Sequence, residues 1–181
     1  SSPEPGKPMN QGFKFCGWYI AEDCSGTAYG FAAAVNSDFT LHAKWEAVSA
    51  ISYVGTDGEA VRDFMNYTPL ESNYTTLPAG TYFVGENTTI ESRITVKDEV
   101  NLILGDGATL TASKGIAVNS GNTLSIFCQS GGTGALKATA KDNYAGIGGN
   151  YGQSVSGTVR IYGGVITATG GACGAGIGGT T

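Results

Sequence analysis

The chain has 181 residues with 29 glycines, 5 prolines, 41% hydrophobic and only 14% charged residues, enough apolar content for a core and too little charge for a disordered or collagen-like chain. Its formal net charge is −5, with 13 acidic and 6 basic residues through Glu99 and 2 and 4 from Val100 onward. No stretch supplies the basic stripe of a nucleic-acid binder, the ~20 apolar residues of a membrane span or the basic-then-apolar opening of a signal peptide.

Residues 1–46 read as short strands and turns. Phe13-Lys14-Phe15 alternates, Gly17-Trp18-Tyr19-Ile20 continues it, residues 21–30 are turn-rich, and residues 39–45 alternate again, which is the pattern of half-buried antiparallel sheet. This segment resembles the Listeria–Bacteroides (internalin-type B) repeat in Gly17-Trp18-Tyr19, Gly26-Thr27-Ala28-Tyr29, and Leu41 followed by Ala43-Lys44-Trp45. The resemblance implies a small β-grasp-like module, repeated in tandem on bacterial surface proteins, with no catalytic residues to carry over. The pattern would open with a further strand and a Gly-rich turn that the residues before Phe13 do not supply, so the module is expected to be truncated. Trp18 and Trp45 are expected to be core residues.

The four cysteines are Cys16, Cys24, Cys128 and Cys173; none forms a CxxC pair and His42 is the only histidine, so no zinc site is expected. Cys16 and Cys24 are near enough in sequence to bridge, with two free thiols as the alternative; Cys128 and Cys173 fall on different faces and are expected to be free.

Residues 47–79 contain a hairpin signal, with Ile51-Ser52-Tyr53-Val54 and Ala60-Val61-Arg62-Asp63-Phe64 flanking Gly55-Thr56-Asp57-Gly58. Residues 65–78 follow as a polar loop, whose Asn-Tyr-Thr triplets at Asn66 and Asn73 are read as loop composition. The hairpin is placed to cap a solenoid.

From Gly80 to Thr181 the chain alternates apolar and polar residues in short runs broken by Gly, Asn or Asp. Ala145-Gly146-Ile147-Gly148-Gly149 returns thirty residues later as Ala175-Gly176-Ile177-Gly178-Gly179, and Leu136-Lys137-Ala138-Thr139 returns at the same interval as Ile166-Thr167-Ala168-Thr169. A fixed period in which like residues recur points to stacked units that fill one slot repeatedly, and an antiparallel sandwich gives no reason for it. The expected fold is therefore all-β: a right-handed parallel β-helix of about 3–4 coils, preceded by the truncated repeat and the capping hairpin. Its expected interior ladders are Leu102–Leu124–Val159 with Leu104–Ile126–Ile161, Leu110–Leu136–Ile166 with Ala112–Ala138–Ala168, and Ile116–Ile147–Ile177; the glycines beside Ile147 and Ile177 are read as corners. Residues 50–181 are also similar to β-helical segments of large surface proteins of gut Firmicutes, some grouped with carbohydrate-binding β-helix domains, most specifically over residues 101–116. That similarity implies an extracellular binding or display role and names no ligand. The stack is expected to continue past Thr181 or to pair with another chain there, since a coil left open would expose an apolar end and an edge.

Catalysis by polysaccharide-active β-helices needs clustered carboxylates or a base beside them. After Val100 the only acids are Asp106 and Asp142, so a lyase or hydrolase is not expected, and no cofactor is; calcium lacks a carboxylate cluster to hold it. The glycines fit neither phosphate-loop spacing. The candidate ligand-facing strip is outward: Thr111, Lys137 and Thr167 in one row, Ser113, Thr139 and Thr169 in the next, and Phe127, Tyr162 and Arg160 on another face. Such a surface suits a polysaccharide or a cell-surface protein, while strand-forming threonines are also ordinary sheet surface. The reading is a non-catalytic, extracellular or wall-attached stalk or adhesion module, with a carbohydrate-binding module as the alternative.

Overall fold

The computed structural model describes residues 5–32, 35, 37–152 and 156–179, and among these every regular element is a strand. β1 (Phe13–Tyr19) and β2 (His42–Ala47) pair antiparallel, with Phe15 opposite Trp45 and Lys14 opposite Glu46. The alternation that continues through Gly17 forms this one strand, whose register shifts between Phe15 and Trp18, where Gly17 takes a φ of 115° and so supplies the backbone freedom that a bulge requires. Trp18 and Trp45 pack edge-on against buried Phe15, with ring centroids 5.3 and 5.6 Å away. The expected β-grasp-like module is thus reduced to a two-stranded ribbon around three rings, because the described residues between 21 and 41 form turns and bends. Cys16 and Cys24 are free thiols, so no bridge joins them. Burial, with the Glu46 carboxylate beside it, pushes the Cys16 thiol up.

β3 (Ile51–Val54) and β4 (Ala60–Phe64) form the hairpin, closed by a hydrogen bond from Gly55 N–H to the Glu59 carbonyl. β5 (Thr68–Pro69) and β6 (Thr76–Leu77) follow. Strands then come in threes. The first set is β7 (Gly80–Val84), β8 (Thr88–Ile90) and β9 (Ile94–Val96); the second is β10 (Glu99–Leu104), β11 (Thr109–Ala112) and β12 (Ile116–Ala117). The third is β13 (Thr123–Cys128), β14 (Ala135–Thr139) and β15 (Ile147–Gly148), and the fourth is β16 (Thr158–Ile161), β17 (Val165–Thr169) and β18 (Ile177–Gly178).

Corresponding strands pair in parallel. The first sheet runs β5-β7-β10-β13-β16, the second β8-β11-β14-β17 and the third β6-β9-β12-β15-β18. Three parallel sheets stacked in rungs are consistent with a β-helix. Two of the expected ladders are present as written: Leu110–Leu136–Ile166 with Ala112–Ala138–Ala168, and Ile116–Ile147–Ile177. The third is corrected by two residues, since Leu124 stands over Val100, Ile126 over Leu102 and Cys128 over Leu104. A slip of two keeps the same side chains inward, so alternation alone does not detect it.

The stack also begins earlier than Gly80. Residues 65–78 are not a polar loop: Thr68 lies opposite Tyr82 and Leu77 opposite Val96, and Leu70, Tyr74 and Leu77 belong to the buried core. Met9 packs against that core, and the Gln11 side chain donates to Thr68 Oγ1 at 2.8 Å and accepts from Thr81 N–H at 2.9 Å. The segment leading into β1 therefore covers this end. The hairpin instead lies on the flank, where Tyr53 meets Phe127 edge-on at 5.5 Å and Gln129 Nε2 donates to the Ser52 carbonyl at 3.2 Å. It is not an end cap, because the first sheet carries an outward column of apolar residues that must be covered. Pro69, Phe83, Ile103 and Phe127 occupy successive strands in register, and Ile103 is completely buried although it points outward.

The repeated pentapeptide has a steric role different from a corner. Gly148 and Gly178 are strand residues in β15 and β18, with φ of 141° and 131°. A Cβ on Gly146 would stand 2.6 Å from the Gly176 carbonyl oxygen, and one on Gly148 would overlap the Gly178 carbonyl. These coils touch backbone to backbone, and only glycine permits that.

One cation binds the third-sheet corners of successive rungs together. Arg93 Nη1 donates to the Lys114 and Ala145 carbonyls at 2.8 and 3.0 Å, Nη2 to the Gly149 carbonyl at 3.3 Å and Nε to Asn150 Oδ1 at 2.9 Å. Its guanidinium carbon lies 4.9 Å from the centre of the Tyr144 ring. Burial lowers its pKa from the ordinary value while the Tyr144 side chain opposes the shift, and the carbonyl oxygens provide the polar partners a desolvated cation requires.

Candidate functional site

The second sheet presents its outer face to solvent. Thr111 stands opposite Lys137 and Lys137 opposite Thr167, and Thr139 pairs with Thr169 in the next row. Lys137, Thr139, Thr167 and Thr169 are exposed and Thr111 is half-buried. Ser113 lies just beyond β11 and its N–H donates to the Ile90 carbonyl. The row is longer by one than the sequence indicated, because Thr89 of β8 stands opposite Thr111. Thr89 escaped notice because its coil is shorter: Leu110 pairs with Thr88, twenty-two residues earlier, whereas Ile166 pairs with Leu136 at thirty.

The aromatic pair lies on the first sheet, a different face. Phe127 and Tyr162 are stacked, with centroids 4.8 Å apart and ring planes 10° from parallel. Phe127 is only 6% exposed, because Tyr53 of the hairpin covers it. Only Tyr162, at 38% exposure, presents a ring to solvent, on the same strand run as exposed Arg160, which stands opposite Ser125. Phe127 is thus a packing residue, and Tyr162 with Arg160 forms a small surface separate from the threonine row.

A site that the sequence did not indicate lies where the ribbon meets the stack. A cleft of about 720 Å³ opens between β1 and the turn leading from β7 to β8. Phe15, Tyr67, Pro69, Leu70 and Phe83 lie at its base, and Ser72, Glu86, Asn87 and Thr89 are among its polar residues. Its residues come from four separated parts of the chain, which is why spacing does not reveal it.

Asp106 is engaged in a corner. Its carboxylate accepts hydrogen bonds from Gly131 N–H at 2.9 Å and from Thr133 N–H at 3.2 Å, tying one corner to the next. Among the described residues no three His, Cys, Asp or Glu side chains come together as a metal site.

A family profile of the Listeria-Bacteroides repeat domain matches residues 1–44, the segment that contains β1 and the start of β2. That repeat family is found in surface or extracellular bacterial proteins. No curated protein and no solved structure matches the chain. No helix among the described residues is long and apolar enough to cross a membrane.

Proposed function

We propose that the chain is a non-catalytic display module of a secreted or wall-attached bacterial protein, in which a short right-handed β-helix of three to four coils holds one flat face to solvent. The observation that carries this reading is the combination of a surface-protein repeat at residues 1–44 with a stack whose first three strand sets bury their interior and whose outer second sheet is polar and exposed. Continuous ladders from rung to rung make such a stack stiff along its axis. After Val100 the only carboxylates are Asp106 and Asp142, and Asp106 is engaged in a corner, which supports a role without calcium or acid–base chemistry.

Association through the last rung belongs to the same reading. Ile161 and Ile177 are each 45% exposed, while Ile126 and Ile147 beneath them are fully buried, so another chain would gain apolar contact there. The end expected at Thr180 and Thr181 lies outside the described residues.

A second reading, recognition of a polysaccharide or a host surface protein, is favoured by the in-register row Thr89–Thr111–Lys137–Thr167. Incubation with uronate and neutral polysaccharides, with and without calcium, separates these readings from an enzyme. The proposal expects no new reducing ends or unsaturated products, and turnover that scales with protein concentration would contradict it.

A further inference from the structure

The cleft at the ribbon–stack junction exists because the second sheet is one rung shorter than its neighbours. β5 and β6 extend the first and third sheets past β7 and β9, whereas the second sheet ends at β8. Where a strand would stand below β8, the chain instead passes through Glu71 and Ser72, and β1 approaches from the other side with Lys14 and Phe15. The result is a walled step about 720 Å³ in volume, within the range of small-ligand sites.

Its chemistry narrows the ligand. The floor is apolar, with half-buried Phe83 and Pro69 beside buried Tyr67, whose hydroxyl is already committed to the Ser49 carbonyl. Around it Ser72, Glu86 and Thr89 are exposed hydrogen-bonding groups. The charges that line it balance: Lys7 pairs with Glu71 across the rim, and Lys14 and Glu86 are the remaining cation and anion. A polyanion or polycation finds no net field to bind. A peptide adding a strand to β8 would have little edge to use, since β8 has three residues and Ile90 is completely buried, whereas strand addition draws its affinity from a run of main-chain bonds.

We propose that this cleft binds a neutral oligosaccharide, with a sugar ring's apolar face against Phe83 and Pro69 and its hydroxyls on Ser72, Glu86 and Thr89. The site is distinct from the threonine row except at Thr89, which belongs to both, so binding here goes beyond the display role and does not depend on the row's outer members.

The test is a titration of the whole chain, followed by backbone amide NMR, with xylo-, cello-, manno- and malto-hexaose and with hexagalacturonate as the acidic control. The proposal expects saturable shifts with at least one neutral hexaose, centred on Lys14, Ser72 and residues 85–89. Ser72→Trp and Glu86→Trp, two exposed positions whose new rings fill the cleft, are each expected to weaken binding about tenfold or more, with Lys137→Ala unchanged. Absence of saturation into the millimolar range, preference for hexagalacturonate, shifts centred on Lys137 and Thr167, or selection from a displayed peptide library of cleft ligands while no hexaose binds would each overturn it.

Discussion

Phe127 and Tyr162 lie face to face, yet one is buried beneath Tyr53 and the other is open to solvent. The stacked pair is the end of a longer series. Tyr53 also contacts Phe64, Phe64 stacks on Tyr67, and Tyr67 meets Phe83 edge-on, so six rings run along the flank from the first rung to the last. This strap fastens the hairpin to the stack. Tyr53→Ala is expected to destabilise the chain by about 2 kcal/mol, and Tyr162→Ala by about 0.5–1 kcal/mol, the value of an aromatic pair. Urea unfolding of the two variants measures both; equal costs would mean that Tyr53 does not fasten the hairpin.

Gly148 tests the backbone contact between the last two coils. Alanine there combines overpacking with a strained positive φ, and a loss of about 3 kcal/mol or more is expected. Gly132 has a φ of 66°, and a Cβ added there would meet only open space, so Gly132→Ala isolates backbone strain and should cost about 1 kcal/mol. Thermal unfolding that ranks the two equally would show that crowding at Gly148 is absent.

Arg93 is expected to be structural. Arg93→Met strips donors from three carbonyls and one amide oxygen at the corners, and unsatisfied buried acceptors should make this cost about 3 kcal/mol. Arg93→Lys should recover less than half, since an ammonium lacks the planar fork. Amide hydrogen exchange at residues 145–150 reports the effect locally, and protection unchanged in Arg93→Met would remove this role.

Alkaline pH should loosen the covered end of the stack. Burial pushes the Tyr82 and Tyr74 hydroxyls up to about 12 from an ordinary 10, with Glu71 and Tyr82 adding to the shift at Tyr74. Because the folded state holds these protons more tightly, their contribution is complete below pH ~10 and is lost as pH rises toward ~12, on the order of 2–3 kcal/mol for each. Denaturant midpoints measured from pH 8 to about 12 should fall only in the upper part of that range, and Tyr82→Phe should flatten the fall.

How far the sequence discloses this fold depends on what each residue must match. Leu110, Leu136 and Ile166 fill one slot and recur, so the ladders could be read directly. Val100 and Leu102 could not be told apart as the residue beneath Leu124, since both point inward. The hairpin's strands were evident from Gly55-Thr56-Asp57-Gly58, but its docking site was not. A signal did exist: outward positions of the first sheet are Phe83, Ile103 and Phe127, while those of the second are Thr89, Thr111 and Lys137. An apolar outward column marks a covered face, and the hairpin is what covers it. Arg93 and the cleft left no periodic trace, because their partners converge from distant loops.

The central claim is display outside the cell, and it is tested most directly by an antibody raised against residues 5–179 and applied to intact, growing cells of the native host. The account predicts labelling of unpermeabilised cells or recovery of the protein from the medium, removed by brief external protease. Labelling that requires permeabilisation, with the protein intact after external protease, would contradict it.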